Sequence, residues 1–69
     1  MKEQWLVERG PLADPEYLQV TRVEMPDLAF QFAWGDLAMA TRFGDQDSAT
    51  KMAAETRSEE LRVVSDADL

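Results

Sequence analysis

The run from residue 28 to residue 34 constrains this chain more than any other: Leu28, Phe30, Phe32 and Trp34 alternate with Ala29, Gln31 and Ala33. Successive side chains of a β-strand point to opposite faces, so a period of two places every large residue on one face and the small ones on the other. A helix would scatter the same rings around its axis. Gly35 and Asp36 then read as a two-residue hairpin loop, with Gly35 suited to positive φ at the first central position. A return strand over residues 37–43 would pair Trp34 with Leu37, Phe32 with Met39, Phe30 with Thr41 and Leu28 with Phe43. In that register the large apolar residues share one face, while Ala29, Gln31, Ala33, Ala38, Ala40 and Arg42 share the other, and a slip of one residue destroys the segregation. The hairpin predicts that Phe30, Phe32 and Trp34 are buried opposite Leu37, Met39 and Phe43. A competing reading makes residues 37–40 a helical turn, because Ala, Leu and Met are good helix formers.

On either side of this segment the pattern is that of short elements with clear punctuation. Residues 4–9 are rich in strand formers and are stopped by Gly10-Pro11, a strong turn signal. Residues 12–16, with Asp14-Pro15 inside them, read as a loop, and residues 17–24 as a second strand that ends at Met25-Pro26-Asp27. After Gly44, the residues Asp45, Asp47 and Ser48 are N-cap candidates whose carboxylates suit the positive end of a helix. Ala49, Met52, Ala53 and Thr56 recur at helical spacing, so a narrow face of small residues is available to lie on a sheet. The helix is expected to end between Arg57 and Glu60. Residues 61–65 read as a short final strand at a sheet edge, and residues 66–69 as a frayed acidic tail. The order strand, strand, two-stranded hairpin, helix, strand defines a two-layer α+β domain over residues 1–69. Its sheet would be antiparallel or mixed, of four to five strands, with one helix in the C-terminal half packed on one face.

Composition removes several classes of function. The chain has 69 residues, no Cys and no His, so neither a disulfide nor a zinc staple supports the fold, and nucleophile–His and thiol mechanisms lack their residues. A chain this short offers little room for a substrate pocket, and the expectation is a protein that is not an enzyme and carries no cofactor. Asp45-Gln46-Asp47 resembles the start of a calcium loop, yet Ala49 and Thr50 stand where a further oxygen ligand and the turn glycine belong, and Thr56 where the bidentate Glu belongs. Helix capping is the better reading of those residues. Gly10, Gly35 and Gly44 are isolated and make no phosphate-binding loop. The opening Met-Lys-Glu-Gln-Trp is unlike a secretory leader, and no apolar run reaches membrane-spanning length, so a cytoplasmic location is expected.

Fourteen Asp and Glu against seven Lys and Arg give a net charge of −7. Summed repulsion opposes direct contact with nucleic acid or anionic lipid, and an acidic surface instead steers toward basic ones. The rings of Trp5, Tyr17, Phe30, Phe32, Trp34 and Phe43 lack the basic neighbours of a base-stacking platform and read as core. The C-terminal third concentrates the negative charge in Asp45, Asp47, Glu55, Glu59, Glu60, Asp66 and Asp68, against Lys51, Arg57 and Arg62. Asp66 and Asp68, if extended, lie about 6.6 Å apart, and Glu55 and Glu59 are about one helical turn apart, comparable with the spacing of phosphates along a strand. The plain alternative is a solvated, solubilising face.

Taken along its length, the chain resembles small acidic proteins of phages and other mobile elements, some of them anti-CRISPR inhibitors. The resemblance rests on size, on acidity, and on the run from Trp34 to Phe43 followed by the Ala-rich helix and Val-Val strand between Ala49 and Val64. It implies an accessory protein in the host cytoplasm that blocks a defence complex, in some cases as a DNA mimic on a basic nucleic-acid-binding surface. On that expectation the seven acidic residues are the partner-binding set, and the protein is a monomer or homodimer. The alternative expectation is a small structural or assembly subunit that uses an apolar or edge-strand interface.

Overall fold

The computed structural model describes residues 3–24 and 29–69. Strands β1 (Trp5–Arg9), β2 (Glu16–Val23) and β3 (Ala29–Gly35) are followed by a 3₁₀ turn at Leu37–Met39, helix α1 (Gln46–Thr56), strand β4 (Leu61–Ser65) and a 3₁₀ turn at Asp66–Asp68. The strands form one sheet in the order β3-β2-β1-β4, and every neighbouring pair is antiparallel. With one α-helix among the described residues, in the C-terminal half, this is the small α+β architecture that the sequence implies. The expected break at Met25, Pro26 and Asp27, and the pairing of Leu28 with Phe43, lie outside the described residues.

The hairpin expected around Gly35-Asp36 does not form. β3 pairs instead with β2, from Tyr17 opposite Gly35 to Val23 opposite Ala29. That seven-residue ladder joins two strands rich in aromatic and β-branched residues, and residues 37–43 run to the far side of β2 instead of back along β3. Gly35 stays in extended strand; its missing Cβ leaves room for the Gln19 amide, which would lie 3.0 Å from such an atom. Residues 37–39 then follow their helical propensity, as in the competing reading, with the Met39 N–H donating to the Asp36 carbonyl at 3.0 Å.

Beyond this turn the chain acts as a wedge. β1 and β2 pair only next to their connecting turn, at Glu8 opposite Tyr17 and Arg9 opposite Glu16. Past that point residues 41–43 enter between them. The Thr41 N–H donates to the Leu18 carbonyl at 3.0 Å, and the Val20 N–H donates to Thr41 Oγ1 at 2.8 Å. Two residues on, Phe43 and Trp5 exchange both backbone bonds at 2.8 Å. The divergence of two central strands would orphan their facing backbone groups, and Thr41 and Phe43 take up the Leu18 carbonyl, the Val20 N–H and both groups of Trp5.

Helix α1 starts where the sequence places it. Asp45 is the N-cap and accepts from the Ser48 N–H at 2.7 Å. Ala49 and Ala53, one turn apart, are the buried residues of the helix, and they face β1 and β4. Val7, Leu18, Ala49 and Ala53 make the buried cluster, with Trp5, Trp34, Phe43, Met52, Leu61 and Val63 packed around it. Alanine at both contact positions lets the helix axis approach the sheet closely. Arg57 ends the helix in the left-handed conformation at φ 55°, and Glu60 repeats it at φ 58° before β4 begins on the sheet edge.

Candidate interaction surfaces

The helix lies over β1 and β4, which leaves the β3 end of the same face without a cover. The register puts Phe30, Phe32 and Trp34 together on the helix side, opposite Arg22, Val20 and Leu18. Trp34 is half-buried, with the Arg9 guanidinium 4.2 Å over its ring, and Arg9 in turn lies 3.6 Å from Glu16. Phe30 and Phe32 have no such roof and are 45% and 36% exposed. Leu37 and Met39, expected to bury them, are themselves exposed at 36% and 66%. The alternation thus predicts the shared face correctly, while the burial it implies does not occur. Between Phe30 and the helix residues Ser48, Lys51, Met52 and Glu55 runs an open groove of about 500 Å³.

The outer edge of β3 is also free. Leu18 and Val20 direct backbone groups at Thr41, away from β3, so in the alternating ladder their partners Trp34 and Phe32, and likewise Phe30, turn N–H and C=O outward. None of these groups has a partner among the described residues. Ala29–Gly35 contains no charge and no proline, the usual devices that blunt an edge.

The seven acidic residues divide into two kinds. Asp45 holds the helix N-terminus, and the Ser48 N–H pulls its carboxyl below the usual carboxylate range, with Lys51 adding to the effect. Asp47 lies 3.1 Å from Lys51 one turn on. Asp66 accepts from the Gln4 N–H at 3.2 Å and lies 3.7 Å from Arg42. The other four, Glu55, Glu59, Glu60 and Asp68, are exposed and have no ion pair or side-chain hydrogen bond among the described residues. Glu55 is on the helix, Glu59 and Glu60 are in the turn into β4, and Asp68 follows β4. Asp66 and Asp68 sit in a 3₁₀ turn, so the extended spacing considered for them does not apply.

One polar cluster is not evident from the sequence. On the sheet face away from α1, Tyr17, Glu8 and Arg62 form a row across β2, β1 and β4. Glu8 is 6% exposed and accepts from Arg62 Nε at 2.7 Å. Burial first, and then the negative charge of the neighbouring Glu8, push the Tyr17 phenol above its usual value. The signal that could have found it is a Glu directly after the apolar run Trp5-Leu6-Val7, and an Arg directly before Val63-Val64. Among the described residues no group of three or more His, Cys, Asp or Glu is placed to hold a metal ion, and no helix is long and apolar enough to cross a membrane.

Comparison of the chain with protein-family models, curated proteins and solved structures finds no match.

Proposed function

We propose that this protein is a non-enzymatic binding module, an acidic inhibitor or decoy that occupies a basic, nucleic-acid-binding surface of a larger protein in the cytoplasm of a host cell. The observation that carries this reading is the set of four exposed carboxylates, Glu55, Glu59, Glu60 and Asp68, without a partner among the described residues, in a chain of net charge −7. Free carboxylates keep their full field, whereas those already paired within the fold do not. Glu60 adds a second argument, because it is held at φ 58°, a conformation that favours glycine. A defence complex of the kind blocked by anti-CRISPR inhibitors has such a surface, and the four carboxylates would contact its Lys and Arg side chains.

The test is to isolate the partner by pull-down and measure association at low and high salt, with and without competing DNA or RNA. Reversal of Glu55 and Glu59 to Lys leaves the fold intact, since exposed charge changes shift stability by about 0.5 kcal/mol or less, and slows association. Unchanged association, with nucleic acid bound alongside the protein, would refute the decoy. A second reading, a small assembly subunit, is favoured by one separate observation, the uncharged free edge of β3. Salt separates the two, because electrostatic capture weakens as ionic strength rises and an apolar interface does not.

A further inference from the structure

We infer that β3 is a self-association edge, and that two copies of the chain join through antiparallel β3–β3 pairing about a two-fold axis at Phe32. The inference rests on the assembly reading and is independent of the acidic one.

Three observations select this occupant. The first is self-complementarity. The outward groups of β3 belong to Phe30, Phe32 and Trp34, and an axis through Phe32 sets Phe32 against Phe32 of the second copy, and Phe30 against its Trp34. All three residues then exchange both backbone bonds with an equivalent residue, and no outward group is left over. The second is the match of side chains. The axis stands perpendicular to the sheet, so the aromatic faces of both copies are on the same side. The exposed ring of Phe30 meets the indole of the second copy, and the exposed rings of Phe32 meet each other, the kind of cross-strand pair that stabilises sheets. On the other face Gln31 meets Ala33, and no bulk or charge opposes the approach.

The third observation is the contrast with the other edge. β4 also has a free side, turned outward at Leu61, Val63 and Ser65, but Glu59 and Glu60 precede it and Asp66 and Asp68 follow it. Antiparallel self-pairing of β4 about Val63 would set Glu60 opposite Asp66 of the second copy, a like-charge clash at each end. β3 has no charge along its length. One edge is guarded and the other is open.

The product is a continuous eight-stranded sheet with both helices on one face, so the Glu55, Glu59 and Glu60 groups of the two copies face the same way. The contact is one strand wide and falls near or below the roughly 1,000 Å² of a stable interface, so the association is weak and concentration-dependent. Its salt dependence has a distinctive sign. Each copy carries −7, and raising ionic strength from about 0.01 M to 0.15 M shortens the screening length from roughly 30 Å to 8 Å. Salt therefore tightens this dimer, the opposite of its effect on capture of a basic partner.

The experiment combines sedimentation equilibrium with cysteine pairing. Wild-type protein is expected to show a monomer–dimer equilibrium that strengthens several-fold between low and physiological salt, and Ala33→Glu to shift it to monomer with unchanged circular dichroism. The chain has no native Cys, so Gln31→Cys and Ala33→Cys can be mixed under oxidising conditions. Their Cα atoms would lie about 4.5 Å apart as a non-hydrogen-bonded pair, within disulfide reach. A covalent dimer is expected in the mixture and not in either variant alone. A wild-type chain that stays monomeric to millimolar concentration would overturn the inference and leave assembly with a different protein as the remaining form of that reading. A dimer without the mixed cross-link, or oligomers that grow beyond two through β3–β4 contacts, would overturn the β3 register and leave assembly standing. None of these outcomes bears on the acidic reading.

Discussion

Thr41 is where the wedge between β1 and β2 can be broken with one atom. Its Oγ1 accepts from the Val20 N–H at 2.8 Å, while its own N–H, which no substitution except proline removes, donates to Leu18. Thr41→Val keeps the β-branched shape and replaces the acceptor with a methyl group, so Val20 is left with an unsatisfied donor in a part-buried position. An orphaned buried polar group costs about 1–3 kcal/mol. The added methyl gains little because Thr41 is only half-buried, and the expected loss is about 1.5 kcal/mol. Thr41→Ser keeps the oxygen and removes one methyl, which costs at most about 0.8 kcal/mol. The polar substitution is therefore the milder one, the reverse of the order that apolar packing alone would give. Urea unfolding measures both, and amide exchange provides a local reading, since the Val20 N–H should exchange faster in Thr41→Val and at the wild-type rate in Thr41→Ser. If Thr41→Val is as stable as Thr41→Ser, or Val20 remains protected in it, the wedge does not depend on this bond and the reasoning is wrong.

Other named contacts carry their own tests. Glu8→Gln removes the counter-charge of Arg62 at a site where Glu8 is 6% exposed, and should cost about 3 kcal/mol, with Glu8→Gln/Arg62→Met recovering a large part of it in the same unfolding assay. The Tyr17 phenol is raised in the folded chain, so its contribution to stability is complete below its ordinary value near 10 and is lost as pH rises through the folded value; phenolate absorbance of the single Tyr should titrate above that range in the wild type and nearer to it in Glu8→Gln. Phe32→Ala should cost about 2 kcal/mol, short of the roughly 3–5 kcal/mol of a fully buried Phe, because the ring is already 36% exposed; a loss of 4 kcal/mol or more in monomeric protein would mean that the ring is better covered than that exposure implies.

Local elements are legible in the sequence because each is fixed by a period or a cap. The alternation up to Trp34 marks β3 and its aromatic face, the candidates Asp45, Asp47 and Ser48 bracket the start of α1, which the structure places at Asp45, and the row Ala49, Met52, Ala53 and Thr56 contains the two alanines that meet the sheet. The pairing partner of β3 is not legible, for a physical reason. The alternation fixes which face the rings share but not which strand lies beside them; β2 takes that place with a seven-residue ladder, and residues 37–43 do not return along the other edge. The 37–43 segment satisfies the period-two pattern by coincidence: its Leu, Ala and Met favour a helical turn, and Thr41 and Phe43 serve as a wedge whose partners, Val20 and Trp5, are distant in sequence. The acidic set is readable as composition. Its division into structural and free carboxylates is not, because Gln4 is brought to Asp66 by the β1–β4 ladder and Arg42 by the bridge between Phe43 and Trp5.

The exposure of Phe30 and Phe32 follows from the same wedge. The chain leaves β3 at Gly35, turns at Leu37–Met39 and enters the sheet between β2 and β1, so it reaches α1 from the middle of the sheet and not from its β3 edge. A short helix launched from Phe43 and bound to end at β4 can cover only the strands between, and it packs on β1 and β4. Eleven residues at about 1.5 Å each give a helix of roughly 16 Å, too short to shield β3 as well. The apolar edge is therefore a consequence of connectivity, and the residues that could have masked it, Leu37 and Met39, are held in the turn by the wedge. A substitution that released the wedge would free residues 37–43 to fold back along β3, so loss of the Thr41 anchor should weaken self-association as well as stability. That coupling is testable: Thr41→Val should raise the dimer dissociation constant even though Thr41 is absent from the β3–β3 contact, and an unchanged constant would show that edge and wedge are independent.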